Sequence, residues 1–365
     1  MIHFVVPGAQ AFAIHDFLAD WGGVLAPRFS IRHYEDFVTA RSLPPGAYIL
    51  TSLDQLQPAG RDLVASIADR LGASGSGVRL LNHPRKTLLR LELLSMLHRE
   101  GLNPHQAVRA DGELTNLRYP VFVREDYGHN GTLTALLHTP RELAEGLGLT
   151  LARGYRLKDL LVVEFCDTAD SAGSYRKYAA FVIGSRVIAR SLAYSHAWML
   201  KAGDTDFSPA MLEEERRYVL GNPHEAEIRR IAALAGIEYG RIDYSIHDGR
   251  MVTWEFNLNP TIIRRPGRPQ RVPPELRPLR EPTRAAWTSG MIEGFEAIDP
   301  GETGLPEIPI TIRGPALAGT DLLRSQDAEI RGGVLRKLLR PFKPAIMRLV
   351  RAVSPFLVRG GRRST

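Results

Sequence analysis

A predicted β-hairpin in the third quarter of the chain constrains its fold more than any other sequence feature. The runs 242–246 and 251–256 flank an Asp-Gly dipeptide, which is a strong hairpin signal. Pairing of these runs brings Asp243 opposite Glu255 and Asn257. Because Glu255 and Asn257 are two residues apart on one strand, their side chains face the same way.

The three side chains carry hard oxygen donors, namely two carboxylates and one carboxamide. Mg²⁺ prefers such ligands and shares its coordination shell with water and nucleotide phosphates. The alternative is that Asp243 and Glu255 are solvated on an exposed hairpin, as most acidic side chains are. Glu255 lies between Trp254 and Phe256, and large apolar neighbours favour a strand that packs. The hairpin therefore predicts a divalent-cation site at Asp243, Glu255 and Asn257.

Chain length and cysteine content bound the class of protein. A chain of 365 residues can bury a sizeable core in two or three lobes. Because Cys166 is the one cysteine, we expect no intrachain disulfide, no cysteine-based zinc site and a cytoplasmic location, with Cys166 a buried thiol. Residues 1–8 read as a strand and not as a signal peptide, and no stretch approaches about 18 uninterrupted apolar residues.

The positive charge of the chain comes from its C-terminal tail. The net charge is +7, but residues 331–365 hold ten Lys or Arg and no acid, so that +7 minus ten leaves about −3 for the first 330 residues. No nucleic-acid partner is therefore expected for the body. The tail fits two short amphipathic helices broken near Pro341 and Pro344. It is expected to contact an anionic membrane or an acidic partner, or else to be a helix packed on the body or an unstructured basic end.

The first 84 residues alternate strands and helices, which predicts an α/β unit with a parallel sheet. A G-x-G-x-x-G fingerprint is missing from the sequence, so a dinucleotide fold is not predicted. The predicted strands are 2–6, 24–26, 48–50 and 78–81, and the predicted helices are 12–21 and 63–71, the latter with Asp62 as its candidate cap.

The remaining chain mixes strands, helices and one irregular segment rich in Pro and Arg. A long helix over 82–99 ends at Gly101. The further predictions are strands at 120–124 and 160–165, a polar Gly-containing loop at 126–132, helices at 141–147 and 223–234, a hairpin of 175–183 with 186–192, and an irregular segment at 264–282.

Taken in this order, residues 82–262 resemble the ATP-grasp superfamily of carboxylate–amine ligases, with a pattern similar to glutathione synthetase and ribosomal-protein glutamate ligases. The ending Glu255-Phe256-Asn257-Leu258-Asn259-Pro260 looks like the metal-binding end of that superfamily. The resemblance implies an α/β and α+β fold in which an N-terminal α/β domain precedes a two-lobed ATP clamp. The implied domains are 1–84 (pre-ATP-grasp), 85–157 (small lobe), 158–266 (large lobe), 267–330 (irregular) and 331–365 (basic tail).

The resemblance also implies ATP and Mg²⁺ as cofactors and assigns phosphate-binding residues. Lys86 matches the first phosphate-binding lysine at a helix start, where an anion is already favoured; alternatively it is a solvated lysine. Arg124 stands where the family has lysine, and a structural salt bridge is its alternative. The loop from Gly128 to Gly131 closes over the phosphates through backbone N–H groups, or is an ordinary surface turn.

Base and ribose recognition is implied for the strand that ends near Glu164. In the resemblance, the backbone of Glu164 and Phe165 reads the adenine edge. Asp167 or Asp170 accepts hydrogen bonds from the ribose hydroxyls.

The family's arginine that stabilises the acyl-phosphate is replaced here by Ala179. Since charge that develops on transferred oxygens needs a nearby cation, Lys177 and Arg190 are the candidate catalytic residues, with Arg176 as an alternative. Arg264 and Arg265 hold a substrate carboxylate or form a solvated basic turn, and Trp198 lines a substrate pocket or belongs to the core.

The expected activity is an ATP- and Mg²⁺-dependent, ADP-forming ligation. A small-molecule or peptide carboxylate becomes an acyl-phosphate, and an amine then attacks it. Two alternatives stay open: an ATP-dependent phosphotransferase that uses a non-carboxylate acceptor, and a non-catalytic ATP-binding module, which Arg124 and Ala179 favour.

Overall fold

The structure, a computed structural model, describes residues 1–75, 77–128, 131–200, 205–263, 272–312 and 322–324. Residues 1–323 form one unit, and residues 324–365 form a second, of which only Arg324 is described. The predictions for the basic tail, for Arg264 and for Arg265 lie outside the described residues.

The elements follow one another with short connections. The strands are β1 Ile2–Val6, β2 Phe29–His33, β3 Ser42–Leu43, β4 Gly46–Leu50, β5 Val78–Leu81, β6 Ala107–Arg109, β7 Val121–Glu125, β8 Leu160–Glu164, β9 Tyr175–Ile183, β10 Arg186–Ser195, β11 Tyr239–His247, β12 Arg250–Asn257 and β13 Ile308–Pro309. The helices are α1 Phe12–Ala19, α2 Tyr34–Thr39, α3 Pro58–Gly72, α4 Arg90–Arg99, α5 Pro140–Ala152, α6 Pro209–Gly221, α7 Glu225–Ala235 and α8 Glu281–Glu296.

The N-terminal sheet is parallel, with the strand order β2-β1-β4-β5. All five residues of β1 and of β4 are buried, which agrees with their continuous apolar sequence. The strands predicted at 2–6, 48–50 and 78–81 are confirmed. The strand predicted at 24–26 is wrong, because these residues lie in a 3₁₀ helix and Val24 is exposed. Asp62 lies inside α3 and does not cap it, since α3 begins at Pro58, where proline is favoured.

Two antiparallel sheets follow. The smaller has the order β6-β8-β7, and the larger has the order β10-β9-β11-β12. Both strands of each predicted hairpin are found in the larger sheet. The predicted domain boundary between residues 157 and 158 would separate β8 from the strands with which it pairs, so the small sheet extends to Glu164.

The hydrophobic core does not follow the predicted division at residue 84. One cluster joins the parallel sheet with the larger antiparallel sheet; for example, the rings of Phe4 and Tyr239 meet edge to face at 5.5 Å. The small sheet has separate clusters, which include Val123 with Val162 and Phe122 with Val163. The parallel sheet and the larger antiparallel sheet are therefore packed as one body.

A single polar side chain ties these two sheets together. Asn82 is fully buried and has a left-handed backbone (φ 63°), which asparagine tolerates. Its amide donates to the carbonyl oxygens of Leu50 (3.3 Å) and Tyr239 (2.7 Å). Its oxygen accepts from the backbone N–H groups of Glu238 (2.9 Å) and Tyr239 (3.0 Å).

Two predicted segments differ from the structure. The helix predicted over 82–99 begins only at Arg90, because the preceding turn bonds to the end of α7: Leu88 N–H donates to the Ala235 carbonyl at 2.8 Å. The segment 267–330 was predicted to be irregular, but Glu281–Glu296 is helical. Its buried side chains include Trp287, Met291 and Phe295, which share one face by their spacing.

No helix among these described ranges is long and apolar enough to cross a membrane.

Candidate active site

The hairpin of β11 and the edge strand β12 places the predicted metal ligands on one face of the larger sheet. Asp243 pairs directly with Glu255, and Asn257 pairs with Arg241. The turn residues have the positive φ values that a tight hairpin requires. The register shifts after the Asp243–Glu255 pair, so Trp254 is an extra residue on β12. Such a bulge redirects the neighbouring side chain.

Glu255 is held by two arginines that come from other elements. Its Oε2 accepts hydrogen bonds from Arg90 at 2.9 Å and from Arg124 at 3.1 Å. Arg90 is the first residue of α4, and Arg124 lies on β7 of the small sheet. The carboxylate therefore joins the larger sheet to the small sheet and its adjoining helix.

Arg90 also organises the loop that follows β7. Its guanidinium donates to the carbonyl oxygens of Glu125 and Gly128, both at 3.0 Å, and to that of Asp126. A Cβ at Gly128 would come within 2.5 Å of the Glu125 carboxylate, so this position requires glycine. Gly131 has a φ of 89°, and residues 129 and 130 between these two glycines lie outside the described chain.

The two arginines keep donors for which the described residues supply no partner. The Nε groups of Arg90 and Arg124 are buried, and neither has a hydrogen-bond acceptor among these residues. Burial and the charge of Arg90 lower the pKa of Arg124 to about 10, although the facing carboxylate opposes this shift. Unsatisfied buried donors beside a surplus of positive charge favour an anionic ligand with several oxygens, such as a polyphosphate.

Asp243 is neutralised within its own sheet. It is buried, and its two oxygens accept a bidentate pair of hydrogen bonds from Arg241, at 2.7 and 3.1 Å. Lys177 on β9 lies 3.3 Å from the same carboxylate. The sequence interpretation missed Arg241, because it sought the missing cation at Ala179, which is the β9 neighbour of Asp243. Alternation along β11 was the available signal, since residues two apart share a face.

The oxygen ligands fit magnesium. Mg²⁺ is commonly held by one or two carboxylates together with substrate phosphates, and Asp243 and Glu255 supply that number. The Asn257 oxygen lies on the same strand and accepts the Asn259 N–H at 2.9 Å. Within the described parts of the chain, there is no group of three or more His, Cys, Asp or Glu that could hold a metal by itself. Phosphate oxygens would therefore complete the shell.

Lys86 lies away from these groups. It belongs to the turn before α4 and lines a cavity of about 660 Å³ together with His83 and Glu238. The helix start that predicted a phosphate-binding cation is occupied by Arg90, four residues later. Arg90 was missed because the sequence interpretation placed the helix start too early.

The residues assigned to base and ribose recognition are engaged with the protein. The Glu164 carboxylate accepts from Gln106 Nε2 (2.9 Å) and from the Arg118 N–H (2.8 Å). The backbone N–H groups of Glu164 and Phe165 donate to the carbonyls of Gln106 and Pro120. Asp167 accepts the Ala169 N–H at 3.1 Å. Any contact of this segment with a nucleotide base would therefore fall to residues after Phe165, beyond the end of β8.

Trp198 takes the second of its two predicted alternatives, the core, and Arg176, the alternative catalytic cation, is paired with acidic side chains. The Trp198 ring packs against Phe122 at 5.2 Å and Phe165 at 5.5 Å, as part of the small-sheet core. Arg176 forms ion pairs with Asp170 and with Glu214, so its charge is neutralised by acidic side chains other than Asp243.

Comparisons with known proteins find similarity in structure alone. No family model and no curated protein matches the chain. The D-alanine–D-alanine ligase from Bacillus anthracis complexed with ATP is 12% identical, with 72% of this chain and 86% of that chain covered and a TM-score of 0.42. A RimK-domain ATP-grasp protein from Sphaerobacter thermophilus is 16% identical, with 80% and 98% covered and a TM-score of 0.42. The ATP-grasp ligase PsnB, complexed with a precursor variant, Mg and ADP, is 13% identical, with 72% and 89% covered and a TM-score of 0.43.

Proposed function

We propose that this chain is an ATP- and Mg²⁺-dependent ligase that activates a carboxylate as an acyl-phosphate for attack by an amine. Two of the structural neighbours, PsnB and the RimK-domain protein, are ATP-grasp proteins, and the motif order of this chain resembles that superfamily. The observation that carries the proposal is the convergence of Arg90 and Arg124 on Glu255, with two buried Nε donors that have no partner in the described part of the chain. This arrangement is suited to the β- and γ-phosphates of a nucleotide.

The proposed roles follow from the position of each group. Arg90 and Arg124 hold phosphate oxygens, and the loop that Arg90 organises covers them. Asp243, Glu255 and Asn257 supply oxygen ligands for Mg²⁺. When bound, Mg²⁺ neutralises phosphate charge and orients the transferred group.

The reaction proposed for this site balances in two steps. A substrate carboxylate oxygen attacks the γ-phosphorus, the bond to ADP breaks, and an acyl-phosphate forms. An amine nitrogen then attacks the acyl carbon, phosphate leaves, and the nitrogen loses its proton to give an amide. Arg241 and Lys177 flank Asp243, where they are placed to stabilise charge that develops on these oxygens.

A non-catalytic nucleotide-binding module is the second candidate. It is favoured by the bidentate pairing of Asp243 with Arg241, which engages both oxygens of a proposed metal ligand. A phosphotransferase is distinguished by its product, which is a phosphoester and not an amide.

Nucleotide binding and ADP release test the proposal. The protein is titrated with ATP in the presence of Mg²⁺ or EDTA, and ADP release is then measured over a panel of amino acids, dipeptides and amines. We expect Mg²⁺-dependent binding, together with acceptor-dependent ADP release that Glu255→Gln abolishes. The exposed Glu145→Gln variant is the matched control. Tight binding without ADP release under any acceptor would favour the non-catalytic module, and the lack of Mg²⁺-dependent binding would contradict both candidates.

A further inference from the structure

Arg190, which the sequence suggested as a catalytic cation, has no part in the roles proposed above for the phosphate-binding and metal-binding residues. It lies on β10 between Ala189, which pairs with Ala180, and Ser191, which pairs with Ala179, so it is the extra residue of a bulge. The residue as a whole is partly exposed. A bulge redirects the side chain that it carries.

The guanidinium of Arg190 is stacked on an aromatic wall. It lies over the Trp287 ring at 4.0 Å from the centroid, and Trp287 in turn packs against Phe181 at 6.1 Å between ring centroids. Phe181, Ala179 and Lys177 are two residues apart along β9, so their side chains lie on one face of the sheet. Because Ala179 pairs with Asp243, this is also the face that carries Asp243. Arg190 thus borders the same face as the proposed site.

The neighbouring cations are each neutralised, whereas Arg190 is not. Arg241 is paired with Asp243, and Arg280 is paired with the buried Glu215 at 2.6 Å. Across the described ranges, no carboxylate lies within ion-pairing distance of Arg190. Burial and the charges of Arg280 and Arg241 lower the pKa of Arg190 to about 10, partly offset by Glu215. A second anion at this position would relieve that repulsion.

We propose that Arg190, held flat by Trp287, binds a carboxylate group of the substrate beside the phosphate-binding side of the site. The inference rests on the proposed ligase function, because it places the substrate of that reaction. A planar guanidinium presents two parallel N–H donors, which match the two oxygens of a carboxylate. Ala179, a small residue on β9, pairs with Ser191 on one side and with Asp243 on the other, so it lies between the strand of Arg190 and the strand of Asp243.

The test compares acids with their amides on the wild-type protein with ADP and Mg²⁺ bound. Acetate, L-alanine, L-glutamate and L-alanyl-L-glutamate are each titrated beside the corresponding carboxamide, and inorganic phosphate is a separate arm. Tryptophan fluorescence reports binding, since an anion on Arg190 changes the surroundings of Trp287. Trp287→Phe identifies the signal of that ring among the four tryptophans.

We expect at least one acid to bind about tenfold more tightly than its amide. Arg190→Gln should remove this preference, Arg190→Lys should retain part of it, and the exposed Arg186→Gln on the same strand should leave it unchanged. ADP affinity should be the same in all four proteins.

Three results would overturn the inference: equal binding of acids and amides, a preference for inorganic phosphate over every acid, or a preference that persists in Arg190→Gln. The acid–amide comparison needs no variant and decides the matter even if Arg190→Gln does not fold. If the wild-type protein did not bind nucleotide at all, the proposed function would be contradicted. In that case the comparison of acids with amides can be repeated without nucleotide, and it would still test the carboxylate site at Arg190.

Discussion

The two carboxylates of the candidate site are neutralised in different ways. Asp243 receives its cations from its own sheet, from Arg241 on the same strand and Lys177 on the next. Glu255 receives Arg90 and Arg124 from a helix and a strand outside that sheet. All the cations that neutralise Asp243 therefore belong to one sheet; we call these residues the Asp243 side. The cations that neutralise Glu255, here the Glu255 side, come together only where separately packed parts of the chain meet.

This difference assigns different sensitivities to the two sides. The Glu255 side depends on the relative position of the small sheet and the larger sheet, which have separate hydrophobic clusters. A polyphosphate bound between the small sheet and the larger sheet would replace the hydrogen bonds of Arg90 and Arg124 to Glu255 with hydrogen bonds to phosphate oxygens. Changes at Glu255 should therefore affect both stability and nucleotide response. Changes at Asp243 should affect metal use and also stability, because Asp243 is buried and neutralises Arg241 and Lys177.

Replacement of Glu255 should have the largest effect. Glu255→Gln leaves two arginines without their counter-ion, so we expect at least about a 100-fold loss of ADP release. We also expect a loss of roughly 2–3 kcal/mol in the free energy of unfolding, below the range for a fully buried pair because Glu255 is partly exposed. Urea unfolding with and without MgATP measures the second effect, and Glu145→Gln should match the wild type. Unchanged turnover would refute the role of Glu255.

Replacement of Asp243 should act on the metal. Asp243→Asn removes one carboxylate ligand while the rest of the sheet remains in place. We expect the Mg²⁺ concentration needed for nucleotide binding to rise about tenfold, which corresponds to about 1.4 kcal/mol. Asp248→Asn, in the turn of the same hairpin, is the control because its side chain is 88% exposed. An equal Mg²⁺ requirement in both variants would remove Asp243 from the metal site.

Arg124 tests whether charge or geometry matters on the Glu255 side. Arg124→Lys keeps the positive charge but loses the planar fork, so nucleotide affinity should fall by less than about tenfold, whereas Arg124→Ala should exceed that loss. Calorimetric titration with ATP and Mg²⁺ measures both. Arg141→Lys, on α5 and 89% exposed, is the matched control. Equal nucleotide affinities of Arg124→Lys and Arg124→Ala would show that the positive charge at residue 124 does not contribute to nucleotide binding.

Replacement of His105 should have the smallest effect on activity. The His105 ring stacks on Trp254, the residue before Glu255. Burial lowers the pKa of His105 from 6.5 to about 4, so the unfolded chain binds more protons than the folded one between these values. Stability should therefore fall as the pH decreases from 6.5 to 4, by up to about 1.4 kcal/mol per pH unit for this group.

The variant His105→Phe keeps a ring on Trp254 and removes the titration. Its unfolding free energy, measured by urea denaturation from pH 7 to pH 4.5, should depend less on pH than that of the wild type. His3, in the parallel sheet, also has a pKa lowered to about 4 by burial, so His3→Phe should reduce the slope in the same sense. An unchanged slope in His105→Phe would show that folding does not lower the pKa of His105.

Local patterns predicted the hairpin correctly because its register depends on a two-residue turn and on strand alternation. Arg90 was missed for a non-local reason. The start of α4 is set by bonds such as Thr87 Oγ1 to the Gly236 carbonyl, between residues 149 positions apart. A single sequence shows neither that contact nor the resulting position of Lys86 outside the site.

The helix α8 was missed because prolines and arginines dominate the composition of its surroundings. Pro282 is compatible with the first turn of a helix, where its missing N–H has no role. The apolar face of α8 becomes evident only once Trp287 is seen against Phe17 and Trp21 of the N-terminal unit. The same contact places the Arg190 stack, which no local pattern could have located.

The buried Asn82 side chain has a consequence for how the molecule opens. Its four hydrogen bonds connect the end of the parallel sheet to the first residue of the strand that carries Asp243. Backbone amides of the two sheets should therefore exchange with solvent in one cooperative event, with a common free energy of opening. The small sheet is linked to the larger sheet by Arg124 with Glu255 and by the buried Asn103, whose side chain bonds to the Thr253 backbone. Its hydrophobic clusters are nevertheless separate, so we expect it to exchange as a second and less protected foldon.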